Sequence, residues 1–198
     1  MSNDKIVIQN KNIKLLSTLL ILSFFSILTP VGAEDKASNS VPTKGPVFTK
    51  YGPVFPIENR DITLPKDFKY KVVFDITKTS KEVFVLNRRL ESVARFINMH
   101  VMNGVKLESL DLAVVMHGAV TRDGLTQKAY QERHFDANPT LEMIEQLHAK
   151  GVKFYQCGQS TEFMGIKKSE LAPQISLALS AMTMLTTLQV DGYSLVSL

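Results

Sequence analysis

The stretch VKFYQCGQS at residues 152–160 begins as a short apolar-rich run and ends in a cysteine, a glycine and two polar residues. Similar runs precede it at residues 70–76 (YKVVFDI) and 110–116 (LDLAVVM), and longer amphipathic segments separate the three. Short, nearly continuous apolar runs are typical of strands buried between helices. The pattern therefore predicts an α/β domain over residues 69–198.

Helix signals lie between these predicted strands. Residues 86–101 carry apolar side chains at steps of three and four, which marks one face of a helix that Gly104 ends. Asn138 followed by Pro139 is typical of an N-cap and the first helical position, and Gly151 lies past the end of that helix. For residues 117–137 the pattern predicts no defined element.

The chain after Cys157 repeats the alternation of strands and helices. We expect a short helix ending at Gly165, a strand at residues 175–179, a helix at residues 181–190 and a last strand at residues 193–196. Ser180 is the predicted N-cap of the second of these helices. Such alternation forms right-handed crossovers, which predicts a three-layer α/β/α domain with a mostly parallel five-stranded sheet.

Residues 1–33 are predicted to be a secretory signal peptide. A lysine-bearing polar stretch precedes an apolar run at residues 15–28, and small residues precede a cleavage site after Ala33. An uncleaved anchor is the alternative, but about 14 apolar residues fall short of the roughly 20 that span a bilayer. We therefore expect a periplasmic or secreted protein that is not held at a membrane after cleavage.

Residues 34–68 are predicted to be an extended leader. This segment contains five of the eight prolines, and proline both fixes φ and removes a hydrogen-bond donor. Its apolar side chains argue against a solvated tail, so we expect the domain itself or a partner subunit to cover them. They are Phe48, Tyr51, Val54 and Phe55.

Composition excludes several classes of function. The formal net charge is +4, and about half of it falls in residues 1–33, which leaves too little for nucleic-acid binding. One cysteine excludes an intrachain disulfide and any multi-cysteine metal cluster. The four histidines share no metal-ligand spacing, and the glycine-rich phosphate loops are missing from the sequence. We therefore expect no metal, no cofactor and no nucleic-acid partner.

Two residues of chemical interest follow predicted strands directly. His117 comes after the second strand and Cys157 after the third, and ligands of open α/β sheets bind at the carboxyl ends of strands. A cysteine before a helix meets exposed N–H groups that favour the thiolate. Gly118 and Gly158 allow close approach of the backbone, while Gln159 and Ser160 offer donors to an anionic sulfur.

Each of these residues also has a structural interpretation. Most unpaired cysteines are small buried hydrophobic groups, and Cys157 fits that description at a strand end. Histidines often lie in turns without a chemical role, and His117 precedes such a turn.

The sequence resembles the DsrE/DsrF-like sulfur-relay family, and in particular its exported members. The resemblance runs from about Tyr70 to the C-terminus and rests on VVMHG at residues 114–118, Asn138-Pro139, GVKFYQCGQS at residues 151–160, Gly165-Ile166 and LQVDGY at residues 188–193. It implies an α/β/α domain that forms trimers or hexamers. It also implies that the cysteine after the third strand, here Cys157, accepts and passes on sulfane sulfur as a persulfide.

The resulting hypothesis is an exported sulfur carrier with Cys157 and His117 at its centre. Gly118, Gly158, Gln159 and Ser160 would bind the sulfur species, and a donor or acceptor protein or a small sulfur compound would be the partner. One alternative is a non-catalytic oligomeric binding or assembly module with a structural cysteine. Another is a peroxide-sensing or reversibly thiolated cysteine.

Overall fold

Five parallel strands form one sheet, in which the fourth, third, second, first and fifth strands along the chain lie side by side in that order. The computed structural model describes residues 41–65 and 67–198, so the predicted signal peptide lies outside the described residues. The strands are β1 (Tyr70–Ile76), β2 (Leu110–Met116), β3 (Lys153–Cys157), β4 (Ile175–Ala178) and β5 (Ser194–Ser197). The helices are α1 (Arg88–Met102), α2 (Gln127–His134), α3 (Leu141–Ala149), α4 (Gly158–Phe163) and α5 (Ala181–Val190). This confirms the predicted α/β fold, and every strand pair is parallel.

The two faces of the sheet are covered by different helices. On one face, β1 and β2 side chains such as Phe74 and Val114 pack against α1 and α3 in the main core. On the other face, smaller side chains such as Ala113 pack against α5 through Leu188. The strands are therefore apolar on both faces, which explains why they read as continuous apolar runs rather than alternating ones.

The predicted start of α5 is confirmed, and the predicted start of α3 is corrected. The Ser180 hydroxyl accepts a hydrogen bond from the Thr183 N–H, and α5 has the predicted bounds. The prediction that Asn138 directly precedes α3 is wrong, because Thr140 is the residue before that helix. Asn138 instead accepts from the Thr140 N–H and donates to the carbonyls of Asp123 and Leu125, which fastens the preceding segment to α3.

The segment between β2 and α3 contains two elements that periodicity did not reveal. A 3₁₀ helix spans Gly118–Gly124, and α2 follows it. In α2 only Ala129 and Tyr130 are buried, so the helix has no apolar face at regular spacing. A third small apolar cluster holds it against Leu125, Ile166 and Leu171.

Part of the proline-rich leader packs on α1. Phe48, Tyr51 and Val54 are buried, whereas Phe55 is exposed. Asn98, which is wholly buried, accepts hydrogen bonds from the N–H groups of Val47 and Phe48. Its amide group also donates to the carbonyls of Phe48, Tyr51 and Gly52.

Other polar groups of α1 complete this attachment. The Glu91 carboxylate accepts from the Gly52 N–H, and the Arg95 guanidinium donates to the Pro53 carbonyl.

The bounds of the leader stay a prediction. Its described residues belong to the same compact unit as residues 67–198. Within the described part of the chain, the helices lack the length and hydrophobicity that a bilayer crossing needs.

We expect Asn98→Ala to lower the free energy of unfolding by about 3 kcal/mol, because it leaves several buried backbone groups without partners. Urea denaturation measures this change. Asn59→Ala, at an exposed position, is the control and should change stability by less than about 0.5 kcal/mol. A loss below about 1 kcal/mol for Asn98→Ala would show that the leader is not held by this side chain.

Candidate functional site

The pairing of β2 with β3 brings the two predicted site residues together. Met116 pairs with Gln156, so His117 and Cys157 occupy the next positions along adjacent parallel strands. Neighbouring strands lie about 4.8 Å apart. Cys157 and Val115 belong to the same cluster under α5. Alternate residues of a strand face the same side of a sheet, so His117, two residues after Val115, also lies on the α5 side, together with Cys157.

Cys157 is shielded by its surroundings. It is the last residue of β3 and only 5% exposed, and its carbonyl accepts a hydrogen bond from the Thr161 hydroxyl at 2.8 Å. Val73, Ala113 and Val115 pack in the same cluster. The sulfur atom is therefore not freely open to solvent at this edge of the sheet.

Hydrogen-bond donors nevertheless favour the thiolate form. Burial has the largest single effect on the Cys157 thiol and raises its pKa. The N–H and hydroxyl of Ser160 and the N–H groups of Ala181 and Gln159 act in the opposite direction. Together these donors outweigh burial, so the pKa of Cys157 lies below that of an ordinary thiol.

These donors belong to two different helices. Gln159 and Ser160 lie in the first turn of α4, and Ala181 is the first residue of α5. The first N–H groups of a helix have no partner within the helix and carry a partial positive charge. The sulfur atom therefore lies where the starts of two helices meet, and the thiolate is stabilised there by backbone N–H groups and the Ser160 hydroxyl rather than by a cationic side chain.

Ser160 connects the sulfur to the loop after β2. Its hydroxyl oxygen accepts a hydrogen bond from the Gly118 N–H at 3.0 Å, which leaves the hydroxyl proton free to donate to the sulfur. Gly118 has a φ of +64°, a conformation that glycine adopts without strain. The Gly118–Ser160 contact thus fixes the segment that carries His117 relative to Cys157.

Gly158 permits the approach of the loop between β4 and α5. A Cβ atom at this position would lie 2.7 Å from the Ala178 carbonyl oxygen and 3.1 Å from that of Leu179. Both contacts are with backbone atoms, so a side chain here would displace the loop. The loop in turn places the Ala181 N–H beside the sulfur. The exposed Gln159 side chain also reaches the Leu179 carbonyl, at 3.5 Å.

His117 forms a pair with a residue that sequence reasoning missed. Its Nε2 atom lies 2.8 Å from Oδ1 of Asp75, and the two side chains are 30% and 19% exposed. Asp75 lies in β1 opposite Val115. The sequence signal that could have identified Asp75 is a carboxylate among the apolar residues at the end of YKVVFDI, residues 70–76. An Asp–His pair of this kind fixes the orientation and tautomer of the imidazole.

Metal binding has no structural support in the described part of the chain, where no three His, Cys, Asp or Glu side chains converge in a way that could hold an ion. The other histidines also have separate surroundings. His100 stacks on Phe96 in α1, and His134 lies over Tyr130 in α2.

Comparisons with known proteins identify a family. The model of the DsrE/DsrF-like family matches residues 71–198. No curated protein gives a significant match. Among solved structures, the ychN protein from E. coli is 18% identical with a TM-score of 0.48, and the protein of unknown function MTH1491 from Methanobacterium thermoautotrophicum is 18% identical with a TM-score of 0.47. Each match covers 65% of this chain and 99% of the other.

We expect Ser160→Ala to raise the pH midpoint of Cys157 alkylation by about one pH unit, because the thiolate loses a charge-assisted hydrogen bond. The measurement is the rate of iodoacetamide labelling as a function of pH. Ser160→Thr keeps the hydroxyl and should keep the midpoint. If Ser160→Ala and the unsubstituted protein share one midpoint, the hydroxyl does not stabilise the thiolate.

Proposed function

The chain belongs to the DsrE/DsrF-like family, and from that premise we propose that it carries sulfane sulfur as a persulfide on Cys157. Family membership points to sulfur relay in general. The observation that carries the specific proposal is the position of the lone cysteine directly before α4 and against the first residue of α5, where hydrogen-bond donors lower the pKa of the thiol. A sulfur carrier needs a thiolate, because the thiolate and not the thiol is the nucleophile.

The proposed step conserves atoms and electrons without an added oxidant. The Cys157 thiolate attacks the outer sulfur of a donor persulfide, R–S–SH, and a new S–S bond forms at Cys157. The S–S bond of the donor breaks at the same time, and R–S⁻ leaves with the electron pair. The reverse step, with an acceptor thiolate, passes the outer sulfur on. A chain with a single cysteine has no second thiol to resolve the persulfide into an intrachain disulfide.

His117 is the proposed proton source for the departing thiolate. It follows β2 at the position next to Cys157, and Asp75 holds its ring through Nε2. A protonated imidazole within reach of a leaving group acts as a general acid. The segment that carries it is anchored to Ser160 through Gly118.

Access to the sulfur requires a local movement in this proposal. With Cys157 only 5% exposed, a donor cannot reach the sulfur directly. The loop between β4 and α5 lies against Gly158 and carries the Ala181 N–H, so we propose that this loop opens when a donor enters. Connecting loops are among the segments that open at the lowest cost in free energy.

The competing function is a non-catalytic assembly module, and two observations favour it. Cys157 packs among Val73, Ala113 and Val115 as a core residue would. The ten residues of α5 include no charged side chain, and Met182 and Val190 on this helix are 77% and 85% exposed. Exposed apolar surface of this kind marks a site of protein association.

Location and assembly belong to the proposal as well. Export rests on the composition of residues 1–33, and N-terminal sequencing of protein from the periplasmic fraction tests it: Glu34 as first residue supports export and Met1 contradicts it. Assembly into trimers or hexamers fits the uncharged surface of α5. Sedimentation velocity tests it, and a monomer at all concentrations contradicts it.

We expect the reduced protein to gain the mass of one sulfur atom on Cys157 after exposure to polysulfide, because a low-pKa thiolate attacks sulfane sulfur. Intact mass spectrometry measures the product, and a thiol reductant should remove it. Cys157→Ser is the matched control and should gain nothing.

An unchanged mass for the protein with its cysteine would contradict the carrier function and leave the assembly module. Parallel exposure to hydrogen peroxide separates the third interpretation. A sensor would be oxidised by peroxide faster than it is modified by polysulfide.

A further inference from the structure

A cavity lies at the far end of α4 from Cys157. Its volume is about 340 Å³. The lining residues are Arg122, Leu125, Arg133, His134, Met164 and Ile166. Met164 follows the last residue of α4, whereas Cys157 directly precedes the first, so the helix separates this cavity from the thiolate site.

Three of the six lining side chains are basic, and no carboxylate lines the cavity. Both arginines have acidic partners outside the lining. Arg122 Nε lies 3.6 Å from Asp123, and Arg133 Nε lies 2.9 Å from Glu170. Glu170 therefore holds the Arg133 guanidinium in place without occupying the cavity, whereas Asp123 lies beyond hydrogen-bond distance of Arg122 Nε, a buried atom that has no hydrogen-bond partner among the described residues.

The arginine side chains are fixed by several bonds and keep donors unused. Nη2 of Arg122 donates to the Ser80 and Glu82 carbonyls, and Nη2 of Arg133 donates to Glu170 and the Gly165 carbonyl. Among the described residues, neither Nη1 group has a hydrogen-bond acceptor, and the ring nitrogens of His134 have none either. Preorganised donors of this kind lose little conformational entropy when an anion binds.

The two arginines place positive charge near His134. Burial lowers the pKa of this histidine most, and the charges of Arg122 and Arg133 lower it further. A field that opposes protonation of an imidazole favours a bound anion at the same place. Tyr130, whose ring centroid lies 4.6 Å from that of His134, packs against the imidazole.

Apolar side chains form the remainder of the lining. Leu125 is wholly buried, Ile166 is 5% exposed, and Met164 is half-buried. Leu125 and Ile166 are already packed in the cluster that holds α2, so Met164 is the accessible apolar side chain of the cavity. An inorganic anion would leave Met164 without a partner, whereas a carboxylate with a small apolar body would contact both the basic side chains and Met164. We propose that this cavity binds a small organic carboxylate, with its charge at Arg122, Arg133 and His134 and its apolar body on Met164.

The test is an NMR titration of the ¹⁵N-labelled protein with benzoate. We expect saturable shifts confined to the lining residues, with a dissociation constant of roughly 1 mM for a ligand of this size. Benzamide has the same ring without the charge, and acetate has the charge without the ring. Both should bind at least about tenfold more weakly. No saturable shift with benzoate, or equal binding of either analogue, would overturn the proposal.

A pair of substitutions separates the role of charge from the role of structure. Arg133→Gln removes the cation and should weaken benzoate binding about tenfold, whereas Glu170→Gln breaks the same ion pair, keeps the cation and should not weaken binding. Equal effects of the two substitutions would overturn the proposal. If Arg133→Gln does not fold, Met164→Glu is the substitute, with Met164→Gln as its control. The introduced carboxylate should abolish binding, and retained binding would contradict the assigned site.

Discussion

The parallel pairing of β2 with β3 is the constraint on which the candidate site depends. Because Met116 lies opposite Gln156, the residues that follow on each strand are forced to the same edge and the same face of the sheet. The apolar runs that build these strands are buried on both faces, so a shift of register by one residue would move Cys157 out of its cluster with Val115. The site therefore takes its position from the core rather than from flexible loops.

The chemistry of Cys157 depends on a balance between burial and hydrogen bonding. Burial alone would make the sulfur an inert packed group, and it is the largest single influence on its pKa. The donors from α4 and α5 reverse that effect, and Gly158 lets the loop after β4 approach the start of α4, which brings the Ala181 N–H to the sulfur. The loop that brings one of these donors to the sulfur is also the loop that opens in the proposed function, which links reactivity to access.

Local signals in the sequence predicted most of the fold and only part of the site. The bounds of β1, β2 and α5 were predicted correctly from apolar runs and from the Ser180 cap. These signals depend only on residues that are close together in the chain. Asn98 and Asp75 were missed because their partners lie 42 to 51 residues away in the chain, where periodicity carries no information. The helix α2 was missed because it has no apolar face, and its packing depends on Ile166 and Leu171. That Cys157 and His117 are adjacent needed the strand order, which the sequence pattern left open.

The most direct test of the central claim is the ultraviolet absorbance of the thiolate as a function of pH in the folded protein. The difference between the unsubstituted protein and Cys157→Ser isolates this one sulfur, since the chain has a single cysteine. The account predicts a midpoint clearly below the value of about 8.5 for a free cysteine. A midpoint at or above that value would show that burial prevails, and Cys157 would then be a structural residue.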